Sequence, residues 1–333
     1  KNSTDENIRT KNKTNLVLLN DIYKDLKQSK EKFKKIQFLK LEKSFLNRDF
    51  DQTSNRAKQL LVIFPYDIDF QKFYGISQIK IGKYINAVKT FENALKFNKD
   101  NSELLFGMGE AKFKSGINSH AELFIRKGLL QDKENFYGNR ILGEILINQR
   151  NFIEAEYYLK KAYKKNKNSA SVNANLSLCL LKQEKYKKSS FFAKQSCNLA
   201  PENYKYLNNY GLILKAMNSF SEAKKTFVRA LEISPAYADA HNNLGTLLQK
   251  HDPEKALYHY NRACLDKNIL PVVYLNIATV LRQIGHGKLA LEYAKQSIKH
   301  KSESFECTKV LGILFMDKGN FKKAEDFFKK TLK

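Results

Sequence analysis

The stretch "AHNNLGTLLQ", residues 240–249, contains a Leu-Gly pair that recurs along the chain at a fixed interval. Glycines lie at multiples of 34 residues before Gly245, and Gly312 joins the series after a one-residue deletion near "HDPEK", residues 251–255. These earlier glycines are Gly211, Gly143, Gly109 and Gly75. Self-similarity at a fixed period is typical of repeat proteins. With the glycine as the eighth position, units begin at residues 34, 68, 102, 136, 170, 204, 238, 271 and 305.

Other columns of the alignment support this frame. Position 20 holds a small residue in every unit, namely Thr53, Ala87, Ala121, Ala155, Ser189, Ala223, Ala256, Ala290 and Ala324. Position 24 is bulky in most units, with Phe91, Ile125, Leu159, Phe227, Tyr260 and Phe328. Helical periodicity on both sides of a turn near position 15 predicts two antiparallel helices per unit. We expect positions 8 and 20 to let these helices approach closely, and position 24 to fill the groove between successive units.

The composition agrees with an all-α protein. The 333 residues are 42% hydrophobic and include only 14 glycines and 5 prolines. All the prolines fall at boundaries of the frame: Pro65, Pro201, Pro235, Pro253 and Pro271. Because proline costs about 3 kcal/mol inside a helix and little in its first turn, this placement supports the boundaries it touches.

The small residue at 8, Ala at 20, aromatic at 24 and Pro at 32 resemble the tetratricopeptide repeat (TPR). The resemblance covers residues 34–333 and implies an α-solenoid, a right-handed superhelix of about nine helix-turn-helix units. Position 4 departs from the pattern, since His241 and Tyr274 stand where Trp is usual, and Leu41 and Leu60 replace small residues in the first unit.

The frame predicts the domain organisation. Residues 1–15 are expected to be poorly ordered, and residues 16–33 to form an N-terminal capping helix, because solenoid ends need a cover. Nine units follow, at residues 34–67, 68–101, 102–135, 136–169, 170–203, 204–237, 238–270, 271–304 and 305–333. We expect further helices or another domain after Lys333 in a longer parent protein.

The first helix of each unit is predicted to line a concave groove with positions 2, 5, 6, 9 and 13, since the opposite stripe is apolar or small. Four successive units place an asparagine at position 6, and two place one at position 5: Asn175, Asn209, Asn243 and Asn276, with Asn208 and Asn242. An amide both donates and accepts hydrogen bonds, so such a row suits the backbone of an extended peptide. The arrangement resembles the asparagine ladder of O-linked N-acetylglucosamine transferases, which implies peptide-backbone binding here.

A carboxylate clamp, as in chaperone-binding repeats, is a weaker interpretation. Its nearest fit is Arg140, Glu144, Asn175, Lys205 and Asn209, but Glu144 stands where an amide is needed and Asn209 where a cation is needed. Capture of an acidic C-terminal tail is therefore not favoured.

The charge leaves an alternative open. Lys and Arg outnumber Asp and Glu by 59 to 34, a net +25, and residues 160–194 carry ten lysines against Glu184 alone. In the frame, eight of these lysines lie away from the asparagines, on the outer face of second helices or around a turn: Lys160, Lys161, Lys164, Lys165 and Lys194, and Lys185, Lys187 and Lys188. The sequence thus predicts a protein that binds a polypeptide, or alternatively one that binds nucleic acid or an anionic membrane through this basic face. A solvated lysine surface is the simpler interpretation.

No catalytic motif or metal-ligand spacing is present among these residues, so we expect a non-catalytic segment without a cofactor. His251 and His259 are predicted to approach each other across one hairpin, but two ligands make a weak metal site. Four isolated cysteines and a polar N-terminus favour a reducing, cytoplasmic setting. Similar repeat arrays precede glycosyltransferase or sulfotransferase domains in bacterial proteins, so this segment is expected to be the recognition arm of a larger protein.

Overall fold

The computed structural model describes residues 27–300 and 304–331, and every regular element in these ranges is an α-helix. Helix α1 covers residues 27–46. The others are α2 Phe50–Ile63, α3 Ile68–Lys80, α4 Tyr84–Phe97, α5 Ser102–Lys114, α6 Asn118–Gln131, α7 Phe136–Asn148, α8 Phe152–Lys165, α9 Ala170–Lys182, α10 Tyr186–Leu199, α11 Tyr204–Ala216, α12 Phe220–Ile233, α13 Ala238–Leu248, α14 Pro253–Ala263, α15 Leu270–Gln283, α16 Gly287–His300, α17 Phe305–Asp317 and α18 Phe321–Thr331. Consecutive helices pack in pairs, as in a TPR solenoid. No described helix is long and apolar enough to cross a membrane.

One residue in the turn between the two helices of most units adopts the left-handed backbone conformation. Residues at position 15 have φ between 59° and 89° in eight units: Arg48, Gly82, Gly116, Arg150, Glu184, Asn218, Gly285 and Gly319. Glycine adopts this conformation freely, whereas an L-residue pays about 1–2 kcal/mol. The unit with the deletion has a shorter first helix, and α14 begins instead with Pro253 after the cap Asp252, whose carboxylate accepts from the Lys255 amide.

The two helices of a unit meet where position 24 faces position 8. A Cβ on Gly211 would lie 2.5 Å from the Phe227 ring, and one on Gly109 would lie 2.4 Å from Ile125. The bulky side chain at position 24 therefore occupies the space that its own unit's glycine leaves, and it also packs against the next unit as predicted. Phe91 does both, since it also lies within 2.4 Å of a Cβ built on Gly107 in the next unit.

Polar side chains at position 4 of several first helices hydrogen-bond to a backbone carbonyl in the connection that precedes the helix. The side chain of Gln71 donates to the Pro65 carbonyl at 2.8 Å, and Nδ2 of Asn173 donates to the Lys167 carbonyl at 2.9 Å. The same contact to position 32 of the preceding unit recurs at Asn139 and, through Nε2, at His241. A carbonyl at the unit boundary thus receives a side-chain donor in place of a backbone one.

The chain also divides, within α7, into two compact parts that each contain several repeats. The part that ends at Ile145 is called the first unit below, and the part that begins at Leu146 is called the second unit. In the first, Leu41 and Phe70 are fully buried in one cluster, and Phe91 in another. In the second, Phe227 and Tyr260 are fully buried. Leucine at position 8 of the earliest repeat is therefore a core residue.

Only part of the N-terminal region for which the sequence makes predictions lies within the described residues. Residues 1–26 lie outside the described residues, so the expected disorder of 1–15 and most of the proposed cap 16–33 lie there too. Helix α1 runs through residues 33 and 34 without a break. The division between cap and first repeat thus coincides with no turn, and it remains a proposal together with the other unit boundaries.

Candidate functional site

The predicted asparagine row lies on four first helices of the second unit. Asn175 is on α9, Asn209 on α11, Asn243 on α13 and Asn276 on α15, and all four are half-buried. Neighbouring first helices α9 and α11 are in contact, and so are α11 and α13. The 34-residue period therefore brings position 6 of one helix next to position 5 of the helix before it.

Two of the amides bond across that boundary. Nδ2 of Asn243 donates to Oδ1 of Asn208 at 2.9 Å, and Nδ2 of Asn276 donates to Oδ1 of Asn242 at 2.8 Å. These two hydrogen bonds, called rungs below, connect α11 to α13 and α13 to α15. The row is therefore not a set of independent solvated amides. Asn208, expected on the groove wall, is only 3% exposed and serves as a buried acceptor.

The rungs leave part of each amide available. A carboxamide has two N–H donors and an oxygen with two lone pairs, and one rung uses a single donor on the position 6 side. Asn243 and Asn276 thus keep an oxygen and a second N–H in fixed orientations. Asn209 makes no side-chain hydrogen bond within the described part of the chain, and Asn175 lies one repeat earlier, on α9.

A lysine beside the row is a residue that sequence reasoning missed. Nζ of Lys215 donates to Oγ1 of Thr246 at 2.7 Å, and that hydroxyl donates to the Asn243 carbonyl at 2.8 Å. Burial lowers the pKa of the Lys215 ammonium. The signal was available, because Lys215 stands at position 12, where the five preceding units have the large apolar residues Phe45, Ile79, Phe113, Ile147 and Leu181.

Two residues of the hypothetical clamp, Arg140 and Glu144, are paired with each other. Arg140 bonds Glu144 at 2.6 Å and lies 3.6 Å from Glu110, which also accepts a hydrogen bond from the Tyr137 hydroxyl. Glu110 is 2% exposed, so these charges compensate each other inside the first unit. Arg140 therefore pairs with Glu110 and Glu144 and does not provide the free cation that a carboxylate clamp needs.

The carboxylate of Glu156 pairs with two lysines of the lysine-rich stretch, residues 160–194. Glu156 accepts from Lys160 at 2.6 Å, from Gln183 at 2.8 Å and from Lys185 at 3.3 Å. Burial raises the pKa of this carboxyl, but the hydrogen bonds from Lys160, Gln183 and Lys185 outweigh it and hold the pKa below its usual value. Several of the remaining lysines, such as Lys164 and Lys194, are exposed.

The histidine prediction was wrong about the partner. His259 lies against His241, with their Nδ1 atoms 3.0 Å apart. His251 is an exposed turn residue. Within residues 27–300 and 304–331, no group of three His, Cys, Asp or Glu side chains is arranged to hold a metal ion.

Comparison with known proteins agrees with the helical-repeat fold. Residues 211–252 match the family described as TPR repeat. The BBSome complex member BBS4 of Bos taurus is 24% identical over 245 residues, which cover 73% of this chain and 47% of that protein. Among solved structures, a chain of the APC/C hetero-tetramer Cut9-Hcn1 has a TM-score of 0.68 at 16% identity, with 84% of this chain and 55% of that chain covered. A tetratricopeptide repeat protein from Parabacteroides merdae has a TM-score of 0.58 at 15% identity, with 69% and 92% covered.

The helix pairs and these matches define the class of fold, a helical-repeat α-solenoid, within which residues 211–252 match the tetratricopeptide repeat. The chain spans about half the length of BBS4 and of the Cut9-Hcn1 chain.

Proposed function

We propose that the second unit binds an extended polypeptide along α9, α11, α13 and α15, with backbone groups of the ligand bonded to the asparagine row. The observation that carries the proposal is the pair of rungs from Asn243 and Asn276. A rung fixes the rotamer of an amide before the ligand arrives, so less conformational entropy is lost on binding. An ordered amide row of this kind recognises a backbone without reading its side chains.

The surroundings of the row support a neutral or acidic peptide. Position 9 of these helices holds Leu178, Leu212, Thr246 and Thr279, none of which is charged. Lys215 is the half-buried cation beside Asn243, and it keeps N–H donors beyond the one given to Thr246. A bound peptide would therefore meet amides, hydroxyls and the Lys215 ammonium.

The likeness to multi-protein assemblies supports a protein partner. The names of two matched proteins place them in the BBSome complex and in the APC/C. We further propose that this chain is the recognition arm of a larger cytoplasmic protein, and the resemblance of its asparagine row to that of O-linked N-acetylglucosamine transferases is the reason to consider a transferase.

A peptide-array screen tests the groove. The variant with Asn175, Asn209, Asn243 and Asn276 replaced by alanine is compared with wild type and with Asn198→Ala, an exposed amide on the second helix α10. Wild type and Asn198→Ala should capture the same extended peptides, and the fourfold variant should lose at least tenfold in affinity. Unchanged capture by a fourfold variant that remains helical would contradict the proposal.

Polyanion binding through the lysine-rich face is the alternative function. Lys160 and Lys185 are already paired with Glu156, which reduces the free charge of that face. Charge reversal at Lys164, Lys165 and Lys194 should leave peptide capture unchanged. Binding of RNA or anionic vesicles that disappears in this variant and falls steeply with salt would instead favour the alternative.

A further inference from the structure

A cavity lies on the second-helix side of the second unit, away from the asparagine row. It has a volume of about 470 Å³ and is lined by residues of α12, α13 and α14. Leu231, Leu244 and Leu248 supply apolar walls. This volume is within the range of pockets that hold a ligand or a large side chain.

The two histidines line this cavity, and their hydrogen bonds fix their tautomers. The Pro235 carbonyl only accepts, so Nε2 of His241 carries the hydrogen of the 3.0 Å contact between them. In neutral His241 the other nitrogen, Nδ1, is then a lone pair, and it accepts from Nδ1–H of His259. Nε2 of His259 is the remaining nitrogen, and it can take up a proton without breaking either hydrogen bond.

The charges around the cavity are predominantly positive. Lys224 and Glu232 come from α12, and Lys255 and Arg262 come from α14. Lys255 is paired with Asp252 at 2.7 Å, whereas Arg262 has no ion-pair partner in the described part of the chain. This balance disfavours a metal cation at the histidines and favours an anion.

We propose that this cavity binds a large apolar side chain of a partner polypeptide, with an adjacent carboxylate accepting hydrogen bonds from Arg262 and from protonated His259. The occupant is a polypeptide rather than a small carboxylate because the apolar surface extends past the cavity. Val228 and Tyr258 on its rim are 38% and 60% exposed. A partner chain covers such a rim, whereas a small ligand leaves it in water. This site is independent of the asparagine row.

The expected pH dependence follows from the groups that face His259. These are Lys224 and Glu232 on α12, His241 on α13, and Lys255, Tyr258 and Arg262 on α14, with Asp252 at its cap. Burial, with a smaller effect of His241, lowers the pKa of His259 in the free protein. A bound carboxylate raises that pKa, so affinity should increase as the pH falls from 7.5 to 6, by at most about tenfold per unit for one proton.

The test uses the acetylated and amidated peptide Gly-Leu-Phe-Glu-Gly in an NMR titration of the histidine ring signals of the whole chain. Matched probes replace Glu by Gln or Phe by Ala, and 3-phenylpropionate represents a small carboxylate. The Glu peptide should shift the His259 signals and raise the His259 pKa, and each matched peptide should bind at least fivefold more weakly. Absence of these shifts, or equal binding of the Gln peptide, would overturn the proposal.

Variants locate the site. Arg262→Gln should weaken the Glu peptide at least fivefold, whereas Lys295→Gln, an exposed cation on α16, should not. Asn243→Ala should leave this binding intact, so failure of the asparagine groove and failure of this cavity are distinguishable. If Arg262→Gln has no effect, or if 3-phenylpropionate binds as tightly as the peptide, the proposed polypeptide site is wrong.

Discussion

The ring of Tyr260 lies directly against the backbone of Gly245, so that a Cβ on the glycine would be 2.6 Å from the ring Cε1. Tyr260 is fully buried, and its hydroxyl donates to Oε1 of Gln249 at 3.0 Å, so the ring has no free direction in which to move. Gly245→Ala should therefore destabilise the protein by about 1–3 kcal/mol through overpacking. Urea unfolding followed by circular dichroism measures the change.

Gly287→Ala is the matched control. Gly287 is also a helical residue, the first of α16, but a Cβ there meets nothing within 4 Å. Alanine has the higher helix propensity, so this variant should be neutral or up to about 1 kcal/mol more stable. Equal destabilisation by both substitutions would show that the close approach of Gly245 and Tyr260 does not limit the packing.

Asn173→Asp tests the position 4 contact with an isosteric change. Nδ2 of Asn173 donates to the carbonyls of Lys167 and Ser169, both at 2.9 Å. Aspartate would turn this buried donor into an acceptor that faces two carbonyl oxygens, at a cost of about 2–3 kcal/mol near neutral pH. Chemical denaturation at pH 7 measures the loss. Asn198→Asp makes the same charge change at an exposed site and should stay within about 0.5 kcal/mol of wild type.

The hydrogen bonds from Lys160, Gln183 and Lys185 to Glu156 should stabilise the fold at neutral pH and less so at acid pH. Because the folded-state pKa of Glu156 lies below its usual value of 4.5, its contribution is present above that pH and is lost as the pH falls through the folded-state pKa. Glu156→Gln should cost about 2 kcal/mol at pH 7 and much less at pH 3. Thermal unfolding across this range is the measurement. A pH-independent difference, or an equal effect of Glu184→Gln at an exposed turn, would contradict the role of these hydrogen bonds.

The histidine pair should lower stability at mildly acidic pH. Burial is the first cause that lowers the pKa of both His241 and His259, so the unfolded chain binds more protons below about pH 6.5, and stability decreases as the pH falls from there. The loss for one proton is at most about 1.4 kcal/mol per pH unit. His241→Asn places at position 4 the residue that Asn139 and Asn173 already use there, without a titrating ring.

Denaturation between pH 7.5 and 5 compares this variant with wild type. We expect a flatter pH profile for His241→Asn, while His286→Asn, at an exposed turn, should keep the wild-type slope. Parallel profiles for wild type and His241→Asn would show that the pair does not titrate on unfolding.

The class of fold was accessible from the sequence because hairpin packing depends on side-chain size at fixed intervals. Gly211 and Phe227 stand 16 residues apart in one unit, and a missing Cβ opposite a ring is a pattern that the residue types alone reveal. The groove was less accessible. Asn243 was identifiable at position 6, but its bond to Asn208 depends on how two first helices are rotated against each other, which periodicity does not specify.

By itself, the sequence determined the repeat length, the helix pairs and the position of their turns, because helical periodicity and steric size are properties of residues read in order. Only the tertiary structure decided that Lys215 meets Thr246 and that His259 meets His241 rather than His251. The physical reason is that such contacts form between different helices, so side-chain rotamers and the one-residue deletion before α14 select the partner from several residues at similar separations.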